Sequence, residues 1–345
     1  MKVEKLGVIL SKSSRPFESA GVLNPATYQD GNTVKMLYRA FKEGNFSTVG
    51  YAEFSEATQL SHRAKHPVIF PEEPYEEQGV EDPRMVKIED TYYVTYTGYN
   101  GYNAVGCLAT SKDLLTYKKH GVITPPISLR TYQIALENSS TLNPKYMEYL
   151  RGQMDRGMVN DQRYLVWDKD IVLFPEKIGG QYFMLHRLLP GIQWVKFNSF
   201  DDLTKGFWEE YIFDLEEYIL MDPLFDHENM HIGAGAAPLK TPEGWLIIYH
   251  SVQTRPFGRA YHAAAALLDL EDPTRVICRM DQPLFSPTED YEKSGYVNNV
   301  CFPTGTAIYD DWLYIYYGAA DDTIAAVRVR LNELIDHLLS QKDVS

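Results

Sequence analysis

The stretch GVEDPR, residues 79–84, sets two carboxylates, Glu81 and Asp82, beside the guanidinium of Arg84, directly ahead of an aromatic, strand-like run. Acidic side chains in such a setting suit proton transfer, and breaking a glycosidic bond requires a proton on the leaving oxygen. Inverting glycosidases hold acid and base roughly 6.5–9.5 Å apart, leaving room for a nucleophile on the far face of the sugar. Either carboxylate could be the acid. The same residues also fit an ordinary turn, since Asp-Pro is a common turn former and Arg84 offers an ion-pair partner. Further ionisable groups end other strand-like runs: Arg39, the run Tyr96–Tyr99, His186 with Arg187, His250, and Asp321 with Asp322. A structural sheet ends more often in Ser, Thr or Gly. This mixture of carboxylate, Arg, His and Tyr points to a polar cleft that fits a sugar.

Competing chemistries lack their residues. His227 and His231 stand four apart in DHENMH without a clear third ligand, so no metal site is expected. IGAGAAP (232–238) leads into a strand rather than a helix, so it is no phosphate-cradling loop, and there is no GxSxG elbow. Cys107, Cys278 and Cys301 are far apart and read as reduced thiols. With 33 Lys plus Arg against 47 Asp plus Glu, the net charge of -14 argues against a nucleic-acid partner. MKVEKLGVIL is too short and too charged for a secretory signal, and no apolar run is long enough to cross a bilayer. A cytoplasmic protein with no membrane partner is expected.

The elements that must position these groups recur. Five β-type runs end in aromatic or His residues: VKMLYRA (34–40), TYYVTYTGY (91–99), QYFMLHR (181–187), GWLIIYH (244–250) and DWLYIYYGA (311–319). Each is followed by a second strand-like run: TVGYAEFSE, AVGCLATSKDL, QWVKFNSFDDL, YHAAAALLDLEDP and TIAAVRVRLNEL. Five successive antiparallel sheets predict an all-β fold, a five-bladed β-propeller, with a sandwich of two sheets as the alternative arrangement. The 25 tyrosines fit this β-rich character. The longest interval, between Tyr96 and His186, holds an insertion at about 127–166. Within it LNPKYMEYLRGQMDRGM reads as a helix opened by Asn143-Pro144, a means of covering the site or of forming a homo-oligomer. LNELIDHLLSQK, with Leu331, Leu334, Ile335, Leu338 and Leu339 on one face, predicts a C-terminal amphipathic helix. No linker divides the chain, so 1–345 is expected to be one domain.

The chain resembles glycoside hydrolase family 130, the β-mannoside phosphorylases and β-mannosidases built on a five-bladed propeller. The resemblance rests on AGVLNPA, LYRA, NFSTVGYA, GVEDPR, KDIVLFPEKIGG, LHR, IGAGAAPLKTPEGWLIIYH, LLDLEDP, CFPTG and YYGAADD, which occur in the family's order from Ala20 to about Val329. It implies that Asp82 is the general acid, acting through a hydroxyl of the mannosyl ring. It implies that Arg39, Asn45, Ser47 and Asp321 hold that ring, with Glu81 and Arg84 beside them in the same motif. Asp168 stands where many members carry a sugar-contacting Asn. Arg187, His250 and Tyr261 match phosphate-binding positions, and His186 neighbours them in LHR.

Two positions depart from the phosphorylase pattern: Trp167 replaces an Arg, and His231 replaces a Lys. These changes remove one permanent charge and exchange a second for a titratable imidazole. Glu228 in DHENMH is then the candidate base that would activate water. Arg130, Arg151, Arg156 and Arg163 of the insertion are candidates to restore the lost charge. The resulting expectation is an inverting enzyme cleaving β-mannosidic bonds at the non-reducing end of short oligosaccharides, with water favoured over phosphate. A β-mannoside phosphorylase using inorganic phosphate as co-substrate and yielding α-mannose 1-phosphate is the alternative. A non-catalytic sugar-binding propeller is the third reading. No organic cofactor is expected.

Overall fold

Each of the five predicted pairs of runs forms an antiparallel hairpin. A computed structural model describes residues 1–124 and 126–342; the one-domain expectation over 1–345 also takes in Pro125 and 343–345, which lie outside the described residues. The chain opens on β1 (Glu4–Leu10), followed by a meander of β2 (Gly21–Asp30), β3 (Thr33–Lys42), β4 (Phe46–Ser55) and β5 (Gln59–Arg63). The second meander is β6 (Gly79–Ile88), β7 (Thr91–Tyr99), β8 (Ala104–Ser111) and β9 (Lys118–Val122), joined to the first by one parallel pair, Ser47 with Gly79. The third is β10 (Lys169–Leu173), β11 (Tyr182–Arg187), β12 (Ile192–Phe197) and β13 (Ile219–Met221). In the fourth, β14 (His231–Ala234) and β15 (Leu239–Thr241) both pair with β16 (Gly244–Arg255), which continues to β17 (Gly258–Leu268) and β18 (Val276–Arg279). The last is β19 (Cys301–Tyr309), β20 (Trp312–Ala319) and β21 (Thr323–Arg330). Its outer edge is taken by β1, so the two ends of the chain share one sheet.

Central strands such as β16 and β20 are buried along nearly their whole length, because each sheet packs against neighbours on both faces. Leu246, Ile248, Ala263 and Ala265 meet Leu313, Ile315, Ala325 and Val327 in one apolar cluster between the last two sheets. Leu334, Ile335 and Leu338 of the C-terminal helix (Leu331–Leu339) join that cluster, as the spacing of its leucines predicts. The insertion contains two helices, α1 (Leu129–Asn138) and α2 (Lys145–Met154), where the sequence announced only the second. Among the described residues, no helix is long and apolar enough to cross a membrane.

Four of the meanders carry one buried polar device. A glutamate in the short helical turn before the first strand accepts a hydrogen bond from a tyrosine on the strand paired with it, and pairs with a cation. Glu18 takes Tyr38 and Arg63, both at 2.8 Å. Glu76 takes Tyr96 at 2.8 Å and Lys119 at 2.7 Å. Glu228 takes Tyr249 at 2.7 Å and Arg279 at 3.1 Å, and Glu292 takes Tyr317 at 2.7 Å together with Lys5. All four glutamates are fully buried, and burial of a charge is tolerated only with such complete pairing. In the third meander the strand-end residue is His186, and its carboxylate is Asp168 at 2.7 Å.

Candidate active site

The first strands of the first three meanders are bulged, and the bulged residues line one cavity. Register breaks fall between Leu23 and Ala26, Glu81 and Arg84, and Lys169 and Val172. Within them Asn24, Asp82 and Asp170 adopt left-handed backbone, with φ of 49°, 49° and 54°. Asn and Asp enter this region more easily than other side chains, yet each such residue costs on the order of 1 kcal/mol. Three strained residues at matching places mark a site the fold is built to present.

Their cavity, of about 290 Å³, is lined by Asn24, Arg39, Asp82, Asp170 and Asp321. Arg187, Arg259, His231 and Tyr261 line the same cavity, with Trp167 and Lys169. A second cavity of about 300 Å³ shares Arg39, Trp167, Lys169 and Asp321, and adds Asn45, Glu81, Phe41, Tyr99 and Tyr296.

Asp82 accepts hydrogen bonds on one carboxylate oxygen, from Asn24 Nδ2 at 2.7 Å and Arg39 Nη1 at 3.3 Å. Burial alone would raise its pKa, but Arg39, Lys169, Asn24 and Arg84 outweigh it and hold the carboxyl at about 2. Asp321 moves the other way, to about 6, because burial and the negative charges of Asp82 and Glu81 prevail over Arg39 and Lys169. Arg39 is the hub on this side: its Nε reaches Ser47 Oγ at 2.9 Å, and its Nη2 reaches Glu81 at 2.8 Å and Asn45 at 3.2 Å. Lys169 Nζ bonds the other Glu81 oxygen at 3.2 Å. Beneath Asp82, buried Arg84 donates to the Asp82 carbonyl at 3.1 Å and pairs with Asp170 at 3.3 Å.

Elsewhere on the lining, Arg187 lies 3.0 Å from Asp170 and donates to His250 Nε2 at 3.1 Å. His231 meets Tyr149 through Nδ1 at 3.1 Å.

Several expectations are corrected by this geometry. Glu228 does not line either cavity; both its oxygens are taken, the second also by the backbone N–H groups of Leu224 and Phe225 at 2.8 and 3.1 Å. A carboxylate so enclosed has no free oxygen for a water. Asp168 is buried, accepting from the Arg187 N–H at 3.2 Å while holding His186, and it lines neither cavity. His186 itself is sealed between Asp168 and Tyr211 at 2.7 Å. His250 and Arg84 act behind Arg187 and Asp82, and Ser47 acts behind Arg39. The fifth repeat's glutamate partner is Tyr317, while Tyr316 bonds the Ala57 carbonyl. Arg130, Arg151, Arg156 and Arg163 are absent from both cavity walls; Arg163, for example, pairs with Asp161 at 2.6 Å. Lys169 and Arg259 are further cations on the cavity lining, beside Asp170, and none of the three stands out in the sequence. A signal existed: KDIVLFP repeats the placement of EDPRMVK before an aromatic strand, and Arg259 shares a strand face with Tyr261.

The model of the family described as beta-1,4-mannooligosaccharide phosphorylase matches residues 4–340. A 1,2-beta-oligomannan phosphorylase of Thermoanaerobacter sp. (strain X514) is 33% identical over 339 residues, covering 95% of this chain and 96% of its own length. The structure of a beta-1,2-mannobiose phosphorylase from Listeria innocua, in complex with beta-1,2-mannobiose, is similar with a TM-score of 0.71 at 22% identity. It spans 99% of this chain and 100% of that one. A structure described with family members that are glycoside hydrolases targeting beta-1,2 mannosidic linkages in Candida mannan has a TM-score of 0.72 at 24% identity. It covers 96% and 94% of the two chains and shares the fold. The more similar relative being a phosphorylase, the expectation of a hydrolase is not supported over phosphorolysis. From the match over nearly its whole length, the chain belongs to glycoside hydrolase family 130.

Proposed function

We propose that this chain is an inverting β-mannoside phosphorylase, a single five-bladed propeller acting on β-1,2-linked manno-oligosaccharides. The five meanders would be the blades, with their bulged inner strands around the axis. The observation that carries the activity is that Arg187, Arg259, His231 and Tyr261 line one cavity with Asp82. Four cations line it, and while Arg39, Lys169 and Arg187 pair with Glu81, Asp82 or Asp170, Arg259 has no carboxylate partner among the described residues. A site that must take up a dianion needs this surplus of donors.

In this reading the terminal mannosyl ring sits against Arg39, Asn24 and Asp321, and the leaving sugar occupies the second cavity between Trp167 and Tyr296. Trp167 Nε1 bonds the Tyr102 carbonyl at 2.9 Å, which fixes its ring as an apolar face for a sugar. Phosphate enters on the Arg187 side and attacks the anomeric carbon as the bond to the leaving oxygen breaks. Asp82 gives its proton to that oxygen through a ring hydroxyl. Hydrogen phosphate supplies the replacement, so the net change moves one proton from phosphate to the released alcohol. The arriving negative charge also favours the protonated form of Asp82, which is ionised in the empty site. The test is the dependence of β-1,2-mannobiose cleavage on inorganic phosphate. Turnover that rises from nil with phosphate supports the reading; equal turnover without it defeats the reading.

A further inference from the structure

The helical insertion reaches the phosphate side of the cavity through one side chain. Tyr149, on α2, places its hydroxyl 3.0 Å from the Met230 carbonyl oxygen and 3.1 Å from His231 Nδ1. A carbonyl only accepts, so both contacts are hydrogen bonds only when the phenol's one hydrogen goes to Met230. The Nδ1 of His231 must then carry the hydrogen that the phenol oxygen accepts, which leaves Nε2 bare. His231 lines the cavity beside Arg187, Arg259 and Tyr261, and its Nε2 has no hydrogen-bond partner among the described residues. Burial, then the positive charges of Arg187 and Arg259 among others, keep the imidazole neutral, well below its ordinary range.

This asymmetry matches one feature of the nucleophile. Hydrogen phosphate carries charged oxygens, which accept, and one hydroxyl, which donates. Arg187 and Arg259 can only donate, so they serve the charged oxygens. The hydroxyl needs an acceptor, and a lysine or a protonated histidine could not provide one.

We propose that Tyr149 is a positioning residue that holds His231 as an Nε2 acceptor for the hydroxyl of bound hydrogen phosphate, turning an unprotonated oxygen toward the anomeric carbon. The inference rests on the phosphorylase reading above. The step balances: the new C1–O bond is made by a charged phosphate oxygen, and the bond from C1 to the leaving oxygen breaks. The leaving oxygen takes the proton of Asp82, and the phosphoryl hydroxyl gives up its own to Asp82 or solvent as the sugar phosphate departs.

The experiment compares the wild type, Tyr149→Phe, His231→Gln and the double variant, with KM measured separately for phosphate and for β-1,2-mannobiose. Tyr149→Phe is expected to raise the phosphate KM by about five- to tenfold, the range of one lost hydrogen bond, and to leave the mannobiose KM unchanged. A glutamine at 231 offers its own amide oxygen, so adding Tyr149→Phe to that variant is expected to change the phosphate KM less than about twofold. An unchanged phosphate KM in Tyr149→Phe, an equal rise for both substrates, or effects that multiply in the double variant would each overturn the proposal. Nitrogen-15 chemical shifts of His231 read the tautomer without turnover: hydrogen on Nδ1 supports it, and hydrogen on Nε2 in the wild type overturns it. Phosphate-independent cleavage by the wild type would instead remove the phosphorylase reading, an outcome the tautomer measurement does not share.

Discussion

Tyr249 donates a 2.7 Å hydrogen bond to Glu228, and that contact assigns the glutamate to the architecture. Glu18 with Tyr38, Glu76 with Tyr96 and Glu292 with Tyr317 make the same bond in other meanders. The repetition marks Glu228 as part of a shared scaffold and argues against its use as a base.

Glu228→Gln should therefore act on stability. It keeps an acceptor for Tyr249 but strips the charge opposite buried Arg279, a loss of about 3 kcal/mol for a broken buried pair. Chemical denaturation should show the loss, while kcat of the folded variant at low temperature stays near wild type. A kcat that collapses in a fully folded variant would return Glu228 to the mechanism.

Asp82→Asn should lower kcat by about 10²–10⁴-fold, the usual worth of a general acid, with a native far-ultraviolet spectrum. The amide can still accept from Asn24 and Arg39, so the fold loses little. Near-normal turnover would show that another group delivers the proton.

Asp321 and Asp82 give opposite signs in pH-dependent stability. Asp82 is held at about 2, so its contribution is present above its ordinary value near 4 and fades as pH falls toward 2. Asp321 is pushed to about 6, so its contribution is complete below about 4 and is lost as pH rises through 6. Asp321→Asn removes that loss. Relative to wild type, its Tm should compare more favourably at pH 7 than at pH 4. A difference that does not vary with pH would mean Asp321 titrates normally.

Arg259 is an exposed side chain on the cavity wall, and under the phosphorylase reading it meets the dianion. Arg259→Ala should raise the phosphate KM about ten- to a hundredfold, the worth of a charge-assisted bond, and spare both stability and the oligosaccharide KM. Steady-state kinetics with each substrate varied in turn decides it; a rise for the oligosaccharide alone would move Arg259 to the leaving-group side.

Much of this organisation was legible in the sequence, for physical reasons that also set the limits. The five hairpins announce themselves because each strand is rich in aromatic and β-branched residues and bounded by turns. Asp82 stands out because Asp-Pro before a strand is chemically distinctive. Asp170 escaped because Ile171 follows it where Pro83 follows Asp82, although both residues adopt the same left-handed bulge. Lys169 and Arg259 escaped because their meeting depends on how separate sheets are placed, which no local pattern encodes. Tyr149 lies on a helix whose docking against Met230 and His231 is a tertiary event. Glu228 was misread because spacing does not reveal burial, yet its place 21 residues before Tyr249 echoes the interval of 20 from Glu18 to Tyr38 and from Glu76 to Tyr96.

The central claim, that phosphate and not water attacks the mannosyl carbon, is tested most directly by turnover of β-1,2-mannobiose in ¹⁸O-labelled water with unlabelled phosphate. Phosphorolysis gives one α-mannose 1-phosphate for each mannose released, with no ¹⁸O at the anomeric carbon of the sugar phosphate. Free mannose as the sole product, carrying ¹⁸O at its anomeric carbon from the first turnovers, would contradict it.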